Sequence, residues 1–357
     1  MRKFLITLHL KNILLLITAF IAFIVITSVL IVGIGDNNSL NKSKNNVIKP
    51  NEYENFNKYV IKYDSLPKIS SVKVFISKEN IVKNINLEVY VAGVVAAEMP
   101  ANFGLEALKA QAVASRTYAL AHVTELGGIL CKNANGGNLC DTVHCQVYMT
   151  KEDRIKLWNK SSSDKSAGEK NWAKIELAVE GTIGQVLTYN NSLAMEPYYF
   201  ANSSGKTENS EEVFSNSIPY LRSVESPGEE ETKNFKSSKI IKYRDLSQII
   251  NKNYINAKVT SANIKKQITV IDRTEAGSVK NIKVGSVTMT GSKFRTMLGL
   301  KSSNFEIKFN LNDLEIDCNG YGHGVGMSQY GADAMAKEGK NYKEILSHYY
   351  QGTAISN

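Results

Sequence analysis

Residues 87–119 read LEVYVAGVVAAEMPANFGLEALKAQAVASRTYA, two helical patterns separated by a proline. Leu87, Val91, Val94 and Val95 recur at helical spacing and make one apolar stripe. Glu98 continues that stripe, and the residue before Pro100 is pushed out of the helical region, so the first helix is predicted to end at about Glu98. A carboxyl then sits on an apolar face at the negative end of a helix dipole, where burial and dipole both disfavour its charged form. Held protonated near neutral pH, it suits general acid chemistry; turned out to solvent, it is an ordinary last-turn residue. In the second helix Leu105, Leu108, Ala112, Ser115 and Ala119 share a face of mostly small side chains, which lets the first helix approach across the short turn 100–104. Arg116 reads as a buried fork for a carboxylate or carbonyls rather than a substrate contact.

These helices belong to a chain of 357 residues with formal net charge +9, room for a membrane segment plus one large domain or two small ones. The positive balance suits an acidic polymer, or lysines scattered over a solvated surface. Nothing resembles an aromatic-interleaved nucleic-acid platform, so no nucleic-acid partner is expected. Arg2, Lys3 and Lys11 precede an uncharged apolar run at 13–35, long enough to cross a bilayer. The basic flank belongs on the cytoplasmic side and the rest of the chain outside. The run ends in IVGIGDNN without small residues of the A-x-A kind, which favours an uncleaved anchor over a signal peptide. Residues 36–65, rich in Asn, Lys and Ser, read as a flexible tether, and strand-like patterns begin near Ser70 with VKVFIS.

Cys131, Cys140, His144 and Cys145 fall within one short loop after the second helix. Thiolate and imidazole so closely spaced suit a tetrahedral structural zinc, with His122 a substitute ligand and Asp141 an orienting neighbour. A disulfide from Cys131 to either later cysteine, or free thiols, are the competing readings.

Farther on, a hairpin is expected at Asn190-Asn191, then the strand EPYYF and the polar run NSSGKTEN, which carries Ser203 and Lys206. Residues 225–308 alternate short helix and strand patterns and read as an inserted or second α+β subdomain. Near the end, NGYGHGVGMSQYG has glycines at 320, 322, 324 and 326, where backbone must approach something closely. His323, Ser328, Gln329 and Tyr330 are its polar groups, and two helices are expected after it. The glycine spacing fits neither a P-loop nor a dinucleotide site.

Taken in order, VAGVVAAEMP, ALKAQAVASRTYA, CDTVHCQVY, SSGKTENSEEV, GHGVGMSQYGA and ILSHYYQGT resemble the stage II sporulation protein D family. The patterns along the chain together read as an α+β protein: an anchor (1–35), a linker (36–65), and a mixed helix and antiparallel-sheet catalytic core (66–224). An inserted α+β subdomain (225–308) and a Gly-rich loop with C-terminal helices (309–357) complete it. The resemblance implies a lytic transglycosylase that cuts peptidoglycan glycan strands stripped of stem peptides, during engulfment of the forespore. Its setting would be the space between mother-cell and forespore membranes. Its partners would be a sporulation amidase, protein P, and the polytopic membrane protein M. The family's catalytic acid falls on Glu98 and a zinc site on the CDTVHC segment. Ser203, Lys206, His323, Gln329 and Tyr330 are then expected to line the glycan path. A one-carboxyl mechanism agrees with the residues themselves, which offer one well-placed carboxyl where ordinary glycosidases need two. Relatives of this domain also enhance wall amidases, so the alternative is a glycan-binding module without its own chemistry.

Overall fold

The computed structural model describes residues 67–357 apart from 215 and 234. The apolar run at 13–35 and the tether at 36–65 lie outside the described residues. Among the described residues no helix is long and apolar enough to cross a membrane.

The fold is mixed α+β. Strands β1 (Ser71–Ile76) and β2 (Ile81–Asn86) form an antiparallel hairpin, and β2 runs directly into helix α1 (Leu87–Glu98). The side chain of Asn86 caps that helix by accepting from the backbone N–H groups of Glu88 and Val89. Leu87 and every residue from Tyr90 to Ala96 are buried. The apolar stripe is thus the visible part of a helix covered nearly all round, with Val89 the exception at 55% exposed. At Gly93 an added Cβ would lie 2.4 Å from the Tyr148 ring and 2.5 Å from the Met149 carbonyl, so only glycine lets that segment cross the helix. Met99 leaves the helix in an extended conformation, ahead of Pro100.

Helix α2 (Leu105–Leu120) packs on α1. Arg116, fully buried, forks onto Glu88 at 2.9 and 2.5 Å and donates to the Gln185 carbonyl at 3.0 Å. This is the buried pairing that the sequence suggests, and it locks the start of α1 to the end of α2. Strand β3 (Leu139–Cys140) joins β1 in parallel, and helices α3 (Lys151–Ser161) and α4 (Ala167–Glu180) follow. The expected hairpin is β4 (Val186–Tyr189) and β5 (Ser192–Leu193), turned by Asn190 and Asn191 at φ 49° and 61°. Strand β6 (Tyr199–Phe200) and the one-turn helix α5 (Ser210–Val213) come next.

From β7 (Lys236–Lys242) the chain builds a second core. Helix α6 (Tyr243–Asn253), strands β8 (Ile268–Arg273), β9 (Val279–Val284) and β10 (Val287–Thr290), helix α7 (Gly291–Leu298), and strands β11 (Phe305–Phe309) and β12 (Asp313–Asn319) surround Leu246, Ile250, Ile282, Phe294, Leu314 and Ile316. This core extends past residue 308, because β7 takes its partner from β12. Ser226 and Glu229, by contrast, are buried against Ser203, Ser328 and Tyr349 of the first core. Strand β13 (Met327–Ser328) pairs in parallel with β6; helices α8 (Gln329–Lys337) and α9 (Tyr342–Tyr349) pack on α2; β14 (Ala354–Ser356) closes against β4.

Candidate active site and metal centre

Glu98 is the last residue of α1 and is partly exposed. Burial raises its pKa, while the backbone N–H of Val147 and the side chain of Gln329 pull it down. The Val147 N–H lies 2.6 Å from the carboxylate. The groups acting on Glu98 are thus a peptide N–H and a carboxamide.

Behind it lies a buried polar network. Gln329 donates to Gln111 at 3.3 Å, and Gln111 to Ser115 at 2.9 Å. Gln146 donates to Tyr90 and to the Ser115 carbonyl, both at 3.2 Å, and accepts from the Tyr199 hydroxyl at 2.8 Å. Gln111, Ser115 and Gln146 are at most 1% exposed. Each makes bonds that fix the floor under Glu98. Sequence reading misses Gln111, Gln146 and Tyr199, because nothing local marks a glutamine or tyrosine as buried.

The Gly-rich loop delivers Gln329. Its four glycines all have positive φ, and their close neighbours belong to the chain itself. A Cβ on Gly326 would lie 2.0 Å from the Tyr198 carbonyl, and one on Gly324 2.7 Å from the Glu208 side chain. His323 accepts from the Val325 N–H through Nδ1 at 3.1 Å and also bonds the Tyr199 backbone. Burial, and then the charge of Arg295, push its pKa down to about 4, so the ring is neutral at physiological pH. Tyr330, partly exposed, sets its ring edge-on to Phe103 at 4.9 Å.

Two expected glycan contacts fall elsewhere. Ser203 is 2% exposed, and its hydroxyl and N–H both donate to Glu229, at 2.7 and 2.8 Å. Glu229 also accepts from Ser226 and Ser328, at 2.6 and 2.7 Å. Ser203 therefore ties loops together and offers no hydroxyl to a polymer. Lys206 pairs with Glu275 at 2.7 Å, out toward the second core.

The cysteine–histidine loop closes into one cluster. The ligand atoms of Cys131, Cys140, His144 and Cys145 all lie within 4.8 Å of one another. Cys131 Sγ stands 3.9 Å from Cys140 Sγ and 3.3 Å from His144 Nδ1; Cys145 Sγ stands 3.6 Å from Cys140 Sγ and 3.7 Å from His144 Nδ1. Ligands about 2.3 Å from a central ion at tetrahedral angles stand roughly 3.8 Å apart, so these edges fit. Sulfurs joined in a disulfide would be about 2.05 Å apart; all four cysteines of the chain are free. His122 is not in the cluster, since its Nδ1 faces the Tyr118 carbonyl at 2.9 Å. Asp141 takes the Ser77 N–H and so pins the loop to the end of β1. The cluster can hold a metal ion, and Cys145 is two residues from the Val147 N–H that Glu98 accepts.

The stage II sporulation protein family matches residues 76–189. The stage II sporulation protein D of Bacillus subtilis (strain 168) is 39% identical over 286 residues, which cover 80% of this chain and 79% of that protein. Its counterpart in Bacillus amyloliquefaciens is 37% identical, covering 80% and 78%. The amidase enhancer of Bacillus subtilis is 32% identical over 74% of this chain and 40% of that protein.

Proposed function

The chain belongs to the stage II sporulation protein D family, and from that premise we propose that it is a membrane-anchored lytic transglycosylase acting on peptide-stripped peptidoglycan strands. The observation that carries the reading is Glu98: one partly exposed carboxyl with a raised pKa, flanked by a peptide N–H and a carboxamide. Protonated, it gives its proton to the glycosidic oxygen as the bond to the muramic acid C1 breaks, and the departing sugar leaves as an alcohol. The carboxylate then takes the proton of the same muramic acid's C6 hydroxyl, whose oxygen bonds to C1. A 1,6-anhydro ring closes, Glu98 is protonated again, and no water is consumed.

His323 and Tyr330, both partly exposed, border the glycan, and Gln329, buried at 5% exposure, acts on Glu98 from beneath. Zinc suits the cluster of Cys131, Cys140, His144 and Cys145; four protein ligands leave no open position for water, so the ion would supply a cross-link. The chain would act outside the membrane, between the mother cell and forespore, anchored by 13–35, with a sporulation amidase and a polytopic membrane protein beside it.

Likeness to the amidase enhancer favours a second reading, a glycan-binding module that activates an amidase. Incubation of the full chain with peptide-free glycan separates the two. Anhydro-muramyl products from the parent, and their loss with Glu98→Gln, support the enzyme. Binding without products, together with faster amidase turnover, supports the enhancer.

A further inference from the structure

An aromatic cluster gathers where β6 and the Gly-rich loop, which furnish Glu98 with its neighbours, meet Phe214 at the end of α5. The rings of Tyr198 and Phe214 are 5.0 Å apart, those of Phe214 and His323 5.2 Å, and those of Tyr198 and His323 6.2 Å. Phe200 backs His323 at 5.6 Å. Through β6 and the residue before it, side chains alternate: Tyr199 reaches inward to Gln146, while Tyr198 and Phe200 flank His323. The His323 ring itself is held, by the Val325 N–H at Nδ1 and by the Tyr199 backbone.

Phe214 remains 39% exposed. A single exposed phenylalanine is ordinary. This one packs against the rings of Tyr198 and His323, and its backbone N–H is bonded to the Ser210 carbonyl at 2.8 Å, so ring and backbone both have partners here. At the edge, the half-buried Glu196 carboxyl hydrogen-bonds the Tyr198 hydroxyl, and the Glu196 N–H donates to the Tyr220 hydroxyl at 3.0 Å. Apolar ring faces with a carboxyl and a hydroxyl at the rim match one kind of ligand. A pyranose presents C–H bonds on its face and hydroxyls around its edge, so it stacks on the rings and hydrogen-bonds at the rim.

We propose that Tyr198, Phe214 and His323, with Glu196 at the rim, form a stacking subsite for a pyranose ring of the glycan strand, removed from the bond over Glu98. The subsite deepens the glycan reading above and rests on it. It would hold the strand in register while Glu98 works, so its contribution is to binding rather than to the proton transfers.

The test uses the full chain in detergent, carrying Glu98→Gln so that glycan is not consumed, with peptide-free peptidoglycan strands as the probe. Phe214→Ala should weaken binding about tenfold, the loss of one aromatic contact. Phe214→Trp, which restores a flat face, should bind at least as tightly as the parent. With Glu98 intact, Phe214→Ala should raise KM and leave kcat near that of the parent. Unchanged affinity of Phe214→Ala, or a Trp variant no tighter than the Ala variant, would overturn the subsite. If the parent itself does not bind the strands, the glycan reading falls, and the subsite with it.

Discussion

At the scale of single residues, Glu98 and His323 are both perturbed by burial, in opposite directions. Burial raises the Glu98 pKa. Folding therefore favours its protonated form, and that stabilisation is complete below the ordinary carboxylate range and lost as pH rises through the raised value. Glu98→Gln is neutral throughout, so it should melt above the parent at pH 8, and the gap should close near about pH 4. The same variant should lose roughly 10²–10⁴ in cleavage rate, read as release of anhydro-muramyl products. A Glu98→Gln chain as active as the parent places the acid elsewhere. Because the acid must start protonated, parental activity should fall on the alkaline side as Glu98 ionises. His323 moves the other way, pushed down to about 4 by burial and by the charge of Arg295. Its neutral ring stabilises the fold fully above its unfolded value of about 6.5, and that contribution is lost as pH falls toward 4. Melting temperatures of the parent and His323→Asn should therefore converge as pH falls from 7 to 4.5. Curves that stay parallel would show that protonation of this ring does not load the Gly-rich loop.

At the scale of elements, the metal loop is an anchor for the strand that follows it. Cys140 lies in β3 against β1, and Val147, two residues beyond Cys145, donates to Glu98. A structural ion in the cluster would hold that donor in place. Elemental analysis should give one zinc per chain. Chelation should lower the melting temperature and slow cleavage, since the segment that carries Val147 loses its fixed point. A chain without stoichiometric metal, melting identically with and without chelator, would remove zinc from the account. This centre is legible in the sequence because its ligands are local: four side chains within one loop can meet only near each other. The end of α1 is legible for a similar reason, since a proline two residues after Glu98 acts on neighbouring backbone. The polar floor is not local. Ser115 and Gln146 are 31 residues apart, Gln146 and Tyr199 are 53, and Gln111 and Gln329 are 218. Ser203 misleads for the same reason. A hydroxyl in a polar loop looks available until Glu229, 26 residues on, is seen to take it.

At the scale of the whole molecule, the second core hangs on a neck of its own making. Its first and last strands are paired from Lys236↔Asn319 to Lys242↔Asp313, and the Gly320 N–H donates to the Phe235 carbonyl at 2.7 Å. The chain thus enters and leaves at adjacent points, and an antiparallel pair with that register can be closed by a two-residue turn. Replacing 237–318 with Asn-Gly should leave α1, α2 and the metal cluster intact, because their core draws no side chain from that span. What the deletion removes is lateral support: the Lys206–Glu275 pair, the Asn304–Ser204 hydrogen bond, and the Lys301 carbonyl that accepts from the Gly322 N–H. The shortened chain should then purify folded, with one metal ion and a single cooperative melt. It should cleave glycan more slowly than the parent while still depending on Glu98, since the Gly-rich loop keeps β6 but loses its outer contact. An insoluble or metal-free product would mean instead that the second core is needed to fold the first, and that the paired neck is a seam within one cooperative unit.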